Sequence, residues 1–112
     1  MQSSLVTGTF KFSNTKHEVM NVVIDTMTKL GRGGPKVDRL LGKVSGPVKK
    51  KQVPFFGCDA EITVTEKAGV SSVFIAVVCR RDEDASKKYS FDAYRQILTW
   101  MIGPAQGLTL LE

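Results

Sequence analysis

Two stretches, CDAEITVTE (58–66) and SSVFIAVVCR (71–80), each alternate apolar and polar residues. That two-residue period is the mark of a half-buried strand. Joined antiparallel through a four-residue loop at Lys67–Val70, they pair positions that sum to 137. Cys58 then faces Cys79, Ala60 faces Val77, Ile62 faces Ile75 and Val64 faces Val73, an all-apolar face. The other face pairs Asp59 with Val78, Glu61 with Ala76, Thr63 with Phe74 and Thr65 with Ser72. A one-residue slip would turn every side chain to the wrong face, so the pattern specifies the register.

Upstream, SLVTGTFKF (4–12) places Val6, Phe10 and Phe12 on one parity and predicts another strand. A helix follows over 16–30. Thr15 and Glu18 form a capping-box pair that can satisfy free N–H groups of the first turn. Val19, Val23, Met27 and Leu30 make its apolar stripe, with Met20 and Ile24 beside them. Gly31 is expected in the left-handed conformation at the helix end. PKVDRLLG (35–42) predicts a short helical piece, with Pro35 in its first turn and Gly42 at its end. KKKQVPFF (49–56) predicts an edge strand, where Pro54 is tolerated. After the hairpin, RRDEDASKK (80–88) reads as a charged connection. Ser90 then caps a second helix whose stripe is Phe91, Tyr94, Leu98 and Met101, with Ile97 and Ile102 close by, ended by Gly103-Pro104. The tail, AQGLTLLE, carries three leucines that pack back or add a last turn. Strands in a run with helices towards the ends predict an α+β fold: an antiparallel sheet of four to five strands with two helices packed on one face.

The 112 residues suit one domain, 42% of them apolar, enough for a real core. No run reaches the roughly 18 apolar residues of a membrane-spanning helix. MQSSLVTGTF lacks the layout of a secretion signal. Two cysteines make no disulfide scaffold, so the expected setting is reducing and cytoplasmic.

Catalytic and metal chemistry find little footing. The single histidine, His17, lies in the first turn of the first helix with no ligand pattern around it. Cys58 and Cys79 lack CxxC spacing and further zinc ligands. A phosphate loop needs GxxxxGK followed by Ser or Thr, after a strand. Here Gly42-Lys43 is followed by Val44, and a helix precedes the glycines. The acidic run Asp82, Glu83, Asp84 lacks calcium-loop spacing. The expectation is a protein that is no enzyme and holds no cofactor or metal.

Charge is the informative signal. The net charge is +5, yet residues 29–51 hold eight basic residues against Asp38 alone, a local +7 against −2 elsewhere. This concentration, in what reads as a basic insertion at about 32–51, implies either an anionic partner or a solvated loop.

The order FKFSNTKHEVMNVVIDTMTKLG, then VFIAVVCRR, a charged turn and YSFDAYRQIL resembles the kinase-associated domain one fold. That module closes several serine/threonine kinases. Leu30-Gly31, Arg80-Arg81 and Phe91 are the matching points, and the resemblance spans residues 5 to 102. The chain departs from the family in its longer turn, DEDASKK, and in residues 32–47. The resemblance implies a regulatory module that binds anionic phospholipid through basic patches or folds back on a kinase catalytic domain. It implies a cytoplasmic, peripheral-membrane setting. Arg80 and Arg81 carry over from the family's patch. Charge alone adds Lys49, Lys50 and Lys51, with Lys43 and Arg39 in the same segment.

Two alternatives stand beside it. The element order also loosely resembles the Alu-binding signal-recognition-particle proteins, which implies RNA as partner and salt-sensitive lysine–phosphate contacts. Phe55 and Phe56 are the aromatics able to stack on bases, insert into a membrane or fill core. The third reading is a protein-interaction module, with Phe74 and Val78 widening the apolar area of the second sheet face.

Overall fold

The structure is a computed structural model that describes residues 5–31, 34–48, 58–79, 86–103 and 106–111, with only the backbone at 79 and 86–88. The elements run β1 (Val6–Phe12), α1 (Lys16–Leu30), β2 (Lys36–Asp38), β3 (Lys43–Val48), β4 (Cys58–Lys67), β5 (Val70–Cys79), α2 (Ser86–Met101) and β6 (Leu110–Leu111). The six strands form one antiparallel sheet in the order β2-β3-β4-β5-β1-β6. The fold is α+β, with one or two short strands more than expected.

The β4–β5 hairpin has the expected register, from Cys58 opposite Cys79 to Thr65 opposite Ser72. Cys58, Ala60, Ile62, Val64, Val73, Ile75 and Val77 are all buried on one face. Pairing continues to Lys67 opposite Val70, so the loop is the two residues Ala68-Gly69 rather than the expected four. Both have positive φ, 53° and 79°. Such turns match the twist of the flanking strands, which favours the tighter connection.

β1 lies against β5 over its whole length, with Val6, Gly8, Phe10 and Phe12 on the helix side. Residues after β1 enter α1 through the capping box. The Glu18 N–H donates to Thr15 Oγ1 at 3.2 Å, and the Thr15 N–H donates to Glu18 Oε1 at 3.4 Å. The expected stripe is buried at Val19, Val23 and Met27, with Leu30 packed at its margin. Gly31 is not left-handed: its φ is −100° and ψ 176°. Glycine is needed there for closeness instead. A Cβ would lie 2.7 Å from the Pro47 carbonyl oxygen and 2.8 Å from that of Met27.

The basic segment departs most from expectation. Residues 35–42 make no helical piece; 36–38 pair with 43–45 as a hairpin, and β3 continues along β4. An eight-residue helix has too few internal bonds to persist alone, whereas β4 offers a ladder. Gly42, with φ 69°, makes the turn. Pro47 sits where β3 has run beyond β2, so its missing N–H interrupts no ladder. The expected strand at 49–56 lies outside the described residues.

α2 begins at Ser86, four residues before the expected cap. Ser90 is buried inside it, and the side facing the core is Ser90, Ala93, Ile97 and Met101. Phe91, expected in the stripe, is 49% exposed. Small residues at 90 and 93 suit close approach to β5 and β1. Tyr94 then reaches across β1, its hydroxyl occupying the place a Cβ on Gly8 would take. The tail packs back as β6, with Leu110 opposite Phe12 and Leu111 opposite Lys11. Both helices lie on the same face as the buried residues of β4 and β5, and among the described residues no element covers the other face of the sheet.

Candidate functional site

The expected anion-binding residues fall into two groups. Lys43 opens β3 on the uncovered face, its Nζ 3.7 Å from Glu61 Oε1 across the strand pair. Arg39 lies exposed in the β2–β3 turn, and Lys36 is exposed on β2. Lys49, Lys50, Lys51, Arg80 and Arg81 lie outside the described residues, as do Phe55 and Phe56. The strands that lead into them end side by side: Val48 and Cys79 both pair with Cys58. Lys43 is five residues from Val48, roughly 17 Å at strand rise. Arg39 and Lys43 therefore stand well away from the strand ends that precede the lysine triplet. Lys29, counted in the basic segment, pairs with Asp25 at 3.5 Å and stands 4.9 Å from the centre of the Trp100 ring.

The turn carrying Arg39 is tightly built. Asp38 Oδ1 accepts the Leu41 N–H at 3.0 Å, and the Gly42 carbonyl accepts the Val64 N–H at 2.7 Å. A side chain on Gly42 would meet the Val64 carbonyl oxygen and the Lys16 side chain. Leu40 and Leu41 project from this turn, 94% and 60% exposed. The sequence reading placed them in a helical piece and so missed them. The signal was present in Asp38 and Gly42, a turn acceptor and a left-handed glycine enclosing two leucines.

The uncovered face curls around a concavity of about 590 Å³ whose lining includes Leu5, Lys36, Asp59, Glu61, Ala76 and Val78. Phe74, 44% exposed, stands on the same face of β5. The tail does not cover Phe74 or Val78, because β6 extends the sheet at β1 instead. Asp59 and Glu61 give this face acid as well as base. Phe74 is the exposed aromatic of the described strands, which is poor ground for stacking a run of bases.

His17 is exposed, with Nε2 3.3 Å from Asn21 Nδ2. Cys58 is buried. Among the described residues, no three His, Cys, Asp or Glu side chains gather as a metal site, and no helix is long and apolar enough to cross a membrane. Among the described residues, Glu18 and Tyr94 have displaced proton affinities. Hydrogen bonds from Asn14 and then Thr15 hold the Glu18 carboxyl below its ordinary range, and burial raises that of Tyr94. Both belong to structural contacts, the helix cap and the packing over Gly8.

No protein-family model and no curated protein matches this chain.

Proposed function

We propose that the chain is a non-catalytic regulatory or targeting domain that docks on anionic phospholipid membranes, as the resemblance to kinase-associated domain one implies. The supporting observation is the placement of the basic segment. Residues 29–51 carry the local +7, and their described part forms a sheet-edge hairpin with Lys36, Arg39 and Lys43 exposed. A cation near an anionic leaflet contributes about 1 kcal/mol, so a group of them gives reversible attachment where one contact could not. Such a domain would work at the cytoplasmic membrane surface, attached to a kinase.

The test is co-sedimentation with phosphatidylserine-containing and with neutral vesicles at low and physiological salt. Binding is expected to the anionic vesicles alone. Replacing Lys49, Lys50 and Lys51 with Ala should weaken it by tenfold or more. Absence of binding at physiological salt would refute the proposal.

A second reading has its own support. Leu5, Phe74 and Val78 leave apolar surface around the concavity of the open sheet face, a feature that suits a protein partner such as a kinase catalytic domain. RNA is supported less well, given Asp59 and Glu61 on that face.

A further inference from the structure

Leu40 and Leu41 pose a specific problem. Large apolar side chains scattered singly on a surface are ordinary. Two adjacent ones at the outermost point of a hairpin, one of them 94% exposed, are not explained by packing. Nor is the turn loosely held. Asp38 accepts the Leu41 N–H, β2 pairs with β3 immediately before and after, and the Gly42 carbonyl anchors to Val64 on β4. The leucines are held outward by a preformed backbone, so engaging them costs little ordering.

The charges around the turn point to the occupant. Arg39 and Lys43 flank the pair in sequence, Lys36 is one turn-length back on β2, and the Lys16 side chain lies beside Gly42. The acids nearby are engaged: Asp38 by the Leu41 N–H, Glu61 by Lys43, and Glu66 by the Lys16 N–H. An apolar tip ringed by cations matches an anionic bilayer, with headgroups outside and acyl chains within. A second copy of the chain fits less well. A convex tip of two leucines offers far less than the roughly 800 Å² per partner of a stable interface.

We infer that the β2–β3 turn is a membrane-inserting prong: Leu40 and Leu41 enter the acyl boundary of an anionic leaflet while Arg39, Lys36 and Lys16 meet its headgroups. This rests on the membrane-docking reading above and adds to it an apolar, salt-resistant component at a defined point of the fold.

The full chain is used throughout. Leu40→Ala with Leu41→Ala should bind phosphatidylserine/phosphatidylcholine vesicles about tenfold or more weakly at physiological salt. At low salt, where charge attraction is least screened, its loss should be smaller. Its melting curve should match the wild type, because both side chains lie in solvent. Insertion is read directly with Leu40→Trp in a Trp100→Phe background. On anionic vesicles its emission should shift to the blue and be quenched by brominated acyl chains. If the wild type binds vesicles but the double variant binds equally and the L40W emission stays unshifted, the prong is overturned and docking survives. If the wild type binds no vesicle, both fall. If the double variant loses binding without quenching of L40W, the leucines act other than by insertion and the prong is again overturned. Dissociation of an oligomer by the double variant, without vesicle binding, would assign the tip to a protein contact.

Discussion

Ala68 has φ 53° beside Gly69 at 79°. Gly69 takes this conformation freely, but an L-residue with a Cβ loses roughly 1–2 kcal/mol there. Asn tolerates the left-handed region better, and Asn-Gly is the preferred pair for this turn. Ala68→Asn should therefore stabilise the fold by about 0.5–1 kcal/mol. The reading is a higher urea midpoint with an unchanged slope; an unmoved midpoint would count against the strained turn. Gly42 presents the opposite case. Its positive φ and the nearby Val64 carbonyl leave no room for a side chain. Neither residue's role stood out beforehand: Ala-Gly carries no strong turn signal, and Gly42 read as the end of a short helical piece.

For the helices, the caps and the packing stripes differ in how far the chain alone reveals them. Thr15 and Glu18 identified the α1 start because a capping box involves only neighbours in sequence. Thr15→Ala should cost about 1 kcal/mol, measured by denaturation. Glu18 adds a pH dependence. Its folded proton affinity is depressed, so its contribution is complete above the ordinary value of 4.5 and lost as pH falls through the lower folded value. The difference in melting temperature between wild type and Glu18→Ala should accordingly narrow from pH 7 to pH 3. A difference that stays constant would separate the carboxylate from the cap. In α2, the helix and the C-terminal part of its inward side, Ile97 and Met101, were legible, but the N-terminal part was not. Periodicity weighted by large side chains selected Phe91, whereas Ser90 and Ala93 face the core. Smallness at the contact is a property of what lies opposite, here β5 and β1.

The whole molecule is two layers, helices over one face of the sheet and nothing described over the other. Adjacent residues on β5 report this directly. Ile75 is fully buried and Phe74 is 44% exposed. Ile75→Ala should cost about 2–5 kcal/mol. Phe74→Ser should cost below about 1 kcal/mol, the value of its cross-strand contacts. A large loss at Phe74 would mean that the open face is covered in solution. The charge distribution belongs to this scale too. Counting located the basic excess, but its division between the β2–β3 turn and the strand end at Val48 follows from the sheet.

What could be read in the chain was short in range or strictly periodic. The β4–β5 register, the start of α1 and the local +7 needed only neighbours, or two strands a turn apart. The hairpin at 36–48, the inward place of Ser90 and Ala93 and the place of the tail depended on partners distant in sequence. β3 takes its bonds from β4, and β6 takes its place from the free edge of β1. A strand's hydrogen bonds are satisfied by another strand, so its existence is settled where the chain meets itself. The same holds for Leu40 and Leu41: their exposure follows from the hairpin that carries them, and so does the membrane-inserting role inferred for them.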